Sequence, residues 1–166
     1  MTNSVLVLIN AALITVVTLE RSLLFMSDSD QTIFALFKTL TPGQFRRINR
    51  WANWQTTQEE TVLIHEGQRA DKLFFINAPQ FDITKKGQRY TAIGPAFAGE
   101  MMLLQGVEAS ATVTVPAGTR YAEWTGTQLR RAMSKSKPLE NALIARFGHD
   151  LANKVRYSVP ITSPQD

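Results

Sequence analysis

Between Trp54 and Trp124 the sequence alternates short segments rich in β-branched and aromatic residues with turn residues, and this pattern restricts the fold more than any other. Lys85–Lys86–Gly87, between two such segments, predicts a tight hairpin. Roughly eight strands at such close spacing favour a β sandwich or a jelly-roll barrel over a parallel α/β sheet. The clearest predicted strands are Thr61–His65, Leu73–Ile76, Gln80–Thr84, Gln88–Ile93, Ser110–Val115 and Thr119–Trp124.

Short helices are predicted before the β region. A polar break at Ser27–Gln31 precedes a helical turn at Ile33–Lys38. Thr41 then has the features of an N-cap, because Pro42 suits the first helical position and Gln44 completes a capping box. The sequence therefore predicts that a second short helix leads directly into the first strands.

Two helices are predicted after the β region, Thr127–Met133 and a longer one that begins at Pro138. The longer helix carries an apolar residue at every fourth position, and this stripe can either cover the barrel or meet a partner helix. Core packing is the favoured interpretation, and we also expect a homodimer through this helix. The stripe is Leu139, Leu143, Phe147, Leu151 and Val155. Residues 159–166 contain two prolines and are predicted to form a loose tail.

The N-terminus is apolar, since residues 1–19 carry no charge and Val5–Val17 is nearly all hydrophobic. Residues 1–26 are therefore predicted to form a membrane-anchor helix, and residues 27–158 the globular domain. The apolar run is short for the roughly 20 residues that a spanning helix needs, so a buried or interfacial helix is the alternative. Basic residues accumulate after Arg21, which favours keeping the domain in the cytoplasm.

Several functional classes are disfavoured by composition. The chain has no cysteine, and its two histidines, His65 and His149, lack metal-ligand spacing, so neither a metal site nor a bound cofactor is expected. No serine, histidine and acid arrangement suggests catalysis, and we expect no enzyme. The net charge is only +4. Three arginines on the helix after Thr41 are better explained as a solvated face than as a nucleic-acid surface, so no nucleic-acid partner is expected. They are Arg46, Arg47 and Arg50.

The stretch from Phe97 to Val115 has the features of an anion pocket. Gly99 permits a tight turn and close backbone approach to a ligand. The short apolar helix that follows, Met101–Leu104, would present backbone N–H groups to an anionic oxygen, and Glu100 is a good acceptor for a sugar hydroxyl. A break at Gly106 leads into the next strand. The candidate site residues are Gly99, Glu100, Met101, Met102, Ala109, Ser110 and Ala111.

The order of short helices, jelly roll with an inserted pocket helix and two C-terminal helices resembles the cyclic nucleotide-binding domain. The resemblance covers about residues 33 to 155. It is carried by Gly99–Glu100–Met101, with Ala109–Ser110–Ala111 beginning nine residues after the glutamate, and by the strand entry Glu66–Ile76. Family members typically have an arginine where Ala109 stands and a glycine where Pro79 stands. The resemblance implies a regulatory module, with cyclic AMP or cyclic GMP as a weak ligand.

Within that superfamily the chain looks most like the Popeye-type branch and its bacterial relatives. The residues that carry this likeness are Tyr121–Trp124, Leu129 and Gly148–Lys154. Members of that branch have the domain directly after transmembrane helices. The resemblance therefore implies a domain tethered to a bacterial inner (plasma) membrane and facing the cytoplasm.

The absence of an arginine at position 109 weakens the predicted phosphate site. Two charge-assisted hydrogen bonds to a phosphate are worth on the order of 3–5 kcal/mol, so a micromolar site would move to roughly millimolar affinity. Arg89 and Arg120 could compensate only if the strand register turned them inward. Three functions remain: a membrane-tethered sensor with a degenerate phosphate site, a scaffold or oligomerisation domain of the same fold, and, least favoured, a cupin-type enzyme. A basic side chain within reach of the pocket would favour the sensor, and a filled pocket the scaffold.

Overall fold

Residues 2–21, 26–157 and 159–160 are described by a computed structural model of the protein. The chain divides into two units, Met1–Trp51 and Ala52–Asp166. The predicted boundary between residues 26 and 27 falls within the first unit. Residues 161–166 of the predicted tail lie outside the described residues, while Val159–Pro160 pairs with a strand of the second unit.

The described part of the first unit contains three helices: α1, Thr2–Arg21; α2, Asp28–Phe34; and α3, Pro42–Asn49. α2 starts earlier than predicted, because Ser27 caps it by accepting a hydrogen bond from the Asp30 N–H (3.2 Å). The predicted polar break is thus the first part of this helix. The capping box of α3 is confirmed, since Gln44 N–H donates to Thr41 Oγ1 and Thr41 N–H donates to Gln44 Oε1 at 2.8 Å.

Aromatic residues hold α2 and α3 together. The Phe45 ring packs against Phe34 at 5.5 Å and against Phe37 at 5.1 Å between ring centroids. Phe45 and Ile48 are buried, so they form the apolar face of α3. Trp51 is half-buried, with the Arg47 guanidinium 6.0 Å from its ring centroid.

α1 exposes its apolar side chains. Those with described positions are between 44% and 69% exposed: Val5, Leu6, Val7, Leu8, Ile9, Leu13, Ile14, Val16 and Val17. Among the residues that the structure describes, none of the helices combines the length and the apolar character required to cross a membrane. The predicted N-terminal helix is present, and its role as a membrane anchor stays a prediction.

The second unit is built on two antiparallel sheets, which in the described part of the chain have the strand orders β1-β8-β3-β6 and β2-β7-β4-β5-β9. The predicted mainly-β jelly roll with flanking helices is confirmed. Its strands are β1 Asn53–Thr56, β2 Thr61–Ile64, β3 Lys72–Asn77, β4 Gln80–Lys85, β5 Gln88–Ile93, β6 Ala96–Ala98, β7 Thr112–Val115, β8 Arg120–Thr125 and β9 Val159–Pro160. Its helices are α4 Glu100–Gln105, α5 Gly126–Ser134 and α6 Lys137–Tyr157.

The predicted hairpin between β4 and β5 is confirmed, and its turn has two residues because Lys85 belongs to β4. Lys85 pairs with Gln88, and both central residues have positive φ, 50° at Lys86 and 78° at Gly87. Positive φ at both positions is typical of the turn whose twist matches that of the flanking strands. This local geometry is what fixes the register of β4 against β5.

Both faces of β3 are buried, which explains its unbroken apolar run. Phe74 and Ile76 lie in the interior cluster of the jelly roll, together with Phe81 and Val115. On the other side, Phe75 packs its ring at 5.2 Å from that of Phe97. A strand alternates its side chains between two faces, so a strand covered on both sides must be apolar throughout.

α6 covers the face of the sheet that carries Phe97. The rings of Phe147 and Phe97 meet edge to face, 5.1 Å apart. Leu139, Leu143 and Phe147 are at most 1% exposed, so this part of the predicted stripe is core. Leu151 is half-buried, and the side chain of Val155 lies outside the described residues.

Candidate ligand pocket

A cavity of about 130 Å³ lies at the start of α4. The structure brings all seven predicted site residues to its wall: Gly99, Glu100, Met101, Met102, Ala109, Ser110 and Ala111. The remainder of the wall comes from apolar residues of β2, β4, β6 and β7, from Glu108, and from α6, which contributes Leu151 and Lys154. The pocket is therefore built from the predicted loop and from a helix about 50 residues further along the chain.

Gly99 makes the turn from β6 into α4. Its φ is 93°, in the left-handed region, and a Cβ placed there would lie 2.7 Å from the Lys72 carbonyl oxygen and 3.1 Å from Met102 Cε. Both the backbone conformation and the lack of space require glycine. The short helix then covers Glu100–Gln105, one residue longer at each end than predicted, and ends at Gly106 with φ 66°.

Ala109 is held by the turn that follows β2. Its N–H donates to the Gln68 carbonyl at 3.0 Å, and its own carbonyl accepts from Gly67 N–H at 2.8 Å. Because these bonds replace strand pairing, β7 begins at Thr112 and not at Ser110 as predicted. Ala109 is buried, Ala111 half-buried and Ser110 exposed, so only part of this segment is shielded from water.

Glu100 forms a buried ion pair with Lys154. Lys154 Nζ lies 2.5 Å from Glu100 Oε1, and the two side chains are 14% and 4% exposed, respectively. The same ammonium group donates to the Phe97 carbonyl at 2.5 Å. Sequence reasoning missed this contact, because the partners are separated by 54 residues and no local pattern joins them.

Asp150, one helical turn before Lys154, binds the same residue of β6. Its Oδ2 accepts from the Phe97 N–H at 2.9 Å, and Arg146 forms an ion pair with its Oδ1. β6 is the edge strand of its sheet, and an edge leaves backbone groups unpaired. Asp150 and Lys154 therefore satisfy the N–H and the carbonyl of Phe97 in place of a further strand.

The arginines that were considered as substitutes for the missing anchor lie elsewhere. Arg120 is exposed and stacks over Trp54, 4.7 Å from the ring centroid. Arg89 is exposed and pairs with Asp82 on the neighbouring strand. Both therefore point away from the cavity, because their strand positions place them on the outer surface.

Comparison of the whole sequence with models of known protein families gives no match, and comparison with curated proteins gives none either. Solved structures do match. A cyclic nucleotide-binding domain from Methylobacillus flagellatus KT is 16% identical, with a TM-score of 0.65 over 79% of this chain and 82% of that one. The Thermus thermophilus catabolite activator protein is 17% identical, with a TM-score of 0.58 over 70% of this chain and 58% of that one. The cAMP-bound PfPKA-R is 16% identical, with a TM-score of 0.58 over 76% of this chain and 45% of that one.

The chain has the fold of a cyclic nucleotide-binding domain. At these identities the likeness concerns the fold, and the chemistry of the pocket has to be argued from the residues of this chain. The resemblance predicts an arginine at position 109, in the loop that carries the predicted site residues. This chain has Ala109 there, so the loop supplies no cation at that position.

Of the described residues that line the cavity, three have ionisable side chains: Glu100, Glu108 and Lys154. Glu108 is 57% exposed and lies 3.4 Å from Arg69, so it interacts mainly outside the cavity. Glu100 and Lys154 neutralise each other inside it. In the part of the chain that the structure describes, no three histidine, cysteine, aspartate or glutamate side chains are grouped as a metal site would require.

Asp71 stabilises the start of α5 through Thr127 and Arg130. Its carboxylate accepts from the Thr127 hydroxyl at 2.5 Å and from the Thr127 N–H at 2.9 Å, and it pairs with Arg130. The hydrogen bond from the Thr127 hydroxyl, and then the bond and charge of Arg130, lower the pKa of Asp71 below its usual value. Asp71 thus acts as the cap that Thr125, which makes no side-chain bond there, does not supply.

Proposed function

We propose that this protein is a non-catalytic regulatory module of the Popeye type that senses a cyclic nucleotide through a degenerate phosphate site. The observation that carries the proposal is the cavity at Gly99–Glu100, whose wall contains all seven predicted residues on a cyclic nucleotide-binding fold. The cAMP-bound state of PfPKA-R, which has this fold, supports a nucleotide as the ligand class. The expected ligands are cyclic AMP and cyclic GMP, with neither a metal nor a nucleic acid involved.

Affinity is expected to be weak, because no arginine stands at position 109. We expect wild-type protein to bind cyclic AMP and cyclic GMP no more tightly than about 100 µM, roughly −5.5 kcal/mol, in isothermal titration calorimetry. Ala109→Arg adds a cation at the wall of the cavity and should tighten binding about tenfold. Ala109→Met, which adds bulk without charge, is the matched control and should give no gain.

Two results would contradict this proposal. Wild-type binding at low micromolar concentration would show that the phosphate site is not degenerate. An Ala109→Arg protein that folds normally and gives no heat of binding with either nucleotide would show that the cavity does not accept them.

The second candidate function is a scaffold or oligomerisation domain of the same fold. The size of the cavity favours it, since about 130 Å³ is below the roughly 300–1,000 Å³ of typical ligand sites. Leu151 and Lys154 of α6 occupy the wall where further space would be needed. Under this function, no substitution at Ala109 should produce nucleotide binding.

We further propose that α1 tethers the protein to a bacterial plasma membrane, with the second unit on the cytoplasmic side. The exposed apolar side chains of α1 support a hydrophobic surrounding for this helix, and the basic residues that follow it support the orientation. The full chain should remain with membranes after extraction with high salt and with carbonate. Release by either treatment alone would contradict an anchor and leave surface attachment.

Substitutions on α1 provide the matched test of this tether. Leu8 and Leu13 are 69% and 63% exposed, so replacing both with aspartate removes little packing in the protein itself. The double variant should move to the soluble fraction. Gln105→Asp, which adds charge at an exposed position of the second unit, should stay with the membranes.

A further inference from the structure

Among the described residues that line the pocket, Lys154 is the one with a positive charge. We propose that Lys154 is its anion-binding residue, and that an anionic ligand binds by taking the Lys154 ammonium group from Glu100. This inference rests on the proposed function and names both the residue that holds the phosphate and the intramolecular contact that regulates it.

The first support is the position of the ion pair. Glu100 and Lys154 line the same cavity as Ala109, and their charged atoms are 2.5 Å apart. A phosphate that enters this cavity therefore reaches a cation, although position 109 has none. The cation comes from α6, 45 residues after position 109. Lys154 can therefore do the work of the missing arginine although it stands at a different place in the sequence.

The second support is the competition that the pair creates. Both side chains are largely buried, and separating a buried pair leaves each charge without compensation unless a new partner replaces the old one. A ligand with an anionic group and a hydroxyl meets both needs, because the anion pairs with Lys154 and the hydroxyl donates to Glu100. A free anion meets only one of them. The pair thus lowers anion affinity and favours hydroxylated phosphates over simple ones.

The third support is the position of Lys154 between the cavity and β6. Leu151 and Lys154 of α6 form part of the cavity wall. Since Lys154 also binds the Phe97 carbonyl, it attaches the end of α6 to the edge strand β6. A nucleotide that draws Lys154 away from Glu100 therefore also weakens this attachment of α6 to β6.

The test varies the charges of the pair and measures binding calorimetrically with cyclic AMP as the probe and adenosine as the probe without phosphate. Glu100→Gln removes the carboxylate charge that competes with the ligand for Lys154 and should tighten cyclic AMP binding at least tenfold, with no gain for adenosine. Adding Lys154→Met to that variant should abolish the gain. Glu100→Asp, which weakens the pair and keeps its charge, should give a smaller gain and serves if Glu100→Gln does not fold.

The inference is overturned if Glu100→Gln and the double variant bind cyclic AMP equally, or if adenosine gains as much as cyclic AMP. Its failure is distinguishable from that of the proposed function. If Ala109→Arg binds cyclic AMP and the Glu100 variants do not differ from wild type, the nucleotide function stands and the role of Lys154 fails. If no variant binds cyclic AMP, but Glu100→Gln binds inorganic phosphate in a Lys154-dependent manner, the anion site stands and the nucleotide function fails.

Discussion

Replacing Phe147 with alanine tests whether α6 is an integral part of the domain core. Phe147 is 1% exposed, and its ring meets Phe97 edge to face at 5.1 Å. Burial of a phenylalanine of this kind is worth about 3–5 kcal/mol against alanine. The aromatic pair accounts for about 0.5–1.5 kcal/mol of interaction beyond buried area. We therefore expect Phe147→Ala to lower the free energy of unfolding by about 4 kcal/mol.

The assay is guanidinium denaturation followed by tryptophan fluorescence, because Trp124 is 1% exposed and lies 6.1 Å from the Phe97 ring. In thermal unfolding, about 4 kcal/mol corresponds to a lower Tm by roughly 8–16 °C for a chain of this size. Ile144→Ala is the matched control, since Ile144 lies on the same helix and is 45% exposed. A loss below about 1 kcal/mol for Phe147→Ala would refute the packing of α6 on this face, since core truncations rarely cost so little.

Three further predictions concern other parts of the second unit. In urea denaturation, Gly99→Ala should lower the free energy of unfolding by more than Gly67→Ala does. Both glycines have positive φ, but of the two only Gly99 has backbone atoms where a Cβ would lie. Equal losses of stability would contradict this steric argument. Asp71→Asn should lower the free energy of unfolding at neutral pH. The difference in stability from wild type should shrink as the pH falls below about 4, because a group with a lowered pKa stabilises the fold only while its carboxylate is ionised. A stability difference that does not change with pH would contradict this. The homodimer stays a prediction: the soluble fragment without α1 should sediment as a dimer that Ile144→Asp weakens, and a monomer at high micromolar concentration would count against it.

Phe147 illustrates how the structure changes an experiment that the sequence suggests. The stripe on α6 predicts either core or partner contacts, and a charged substitution at Phe147 would seem a test of dimerisation. Because Phe147 is core, such a substitution would unfold the domain whether or not a dimer forms. The exposed Ile144, which is not part of the stripe, is the position that can report on self-association.

Features that depend on a few neighbouring residues could be predicted from the sequence alone. The capping box of α3, the hairpin at Lys85–Gly87 and the glycine turn into α4 are all present as predicted. Each depends on steric and hydrogen-bonding preferences within one turn of chain, which the residue types express directly. The alternation of short strands and turns likewise predicted the jelly roll, and the loop from Gly99 to Ala111 predicted the wall of the pocket.

Element ends were less predictable, because contacts from elsewhere decide them. β7 starts at Thr112 because Ala109 bonds to the turn at Gly67–Gln68. Val159–Pro160 pairs with β5, although its composition predicts a loose tail. In both cases the competing partner lies far away in the sequence.

The sequence by itself determined the jelly roll, the residues of the pocket wall and the absence of an arginine at position 109. Only the tertiary structure decided which cation reaches the pocket, since Lys154 meets Glu100 because α6 packs on Phe97 through Phe147 and Asp150. Arg89 and Arg120 are closer to the pocket in sequence, but strand alternation places them outside. Local preferences act over a few residues, whereas a buried ion pair requires two distant segments to lose water together, and only the packed core brings them to the same place.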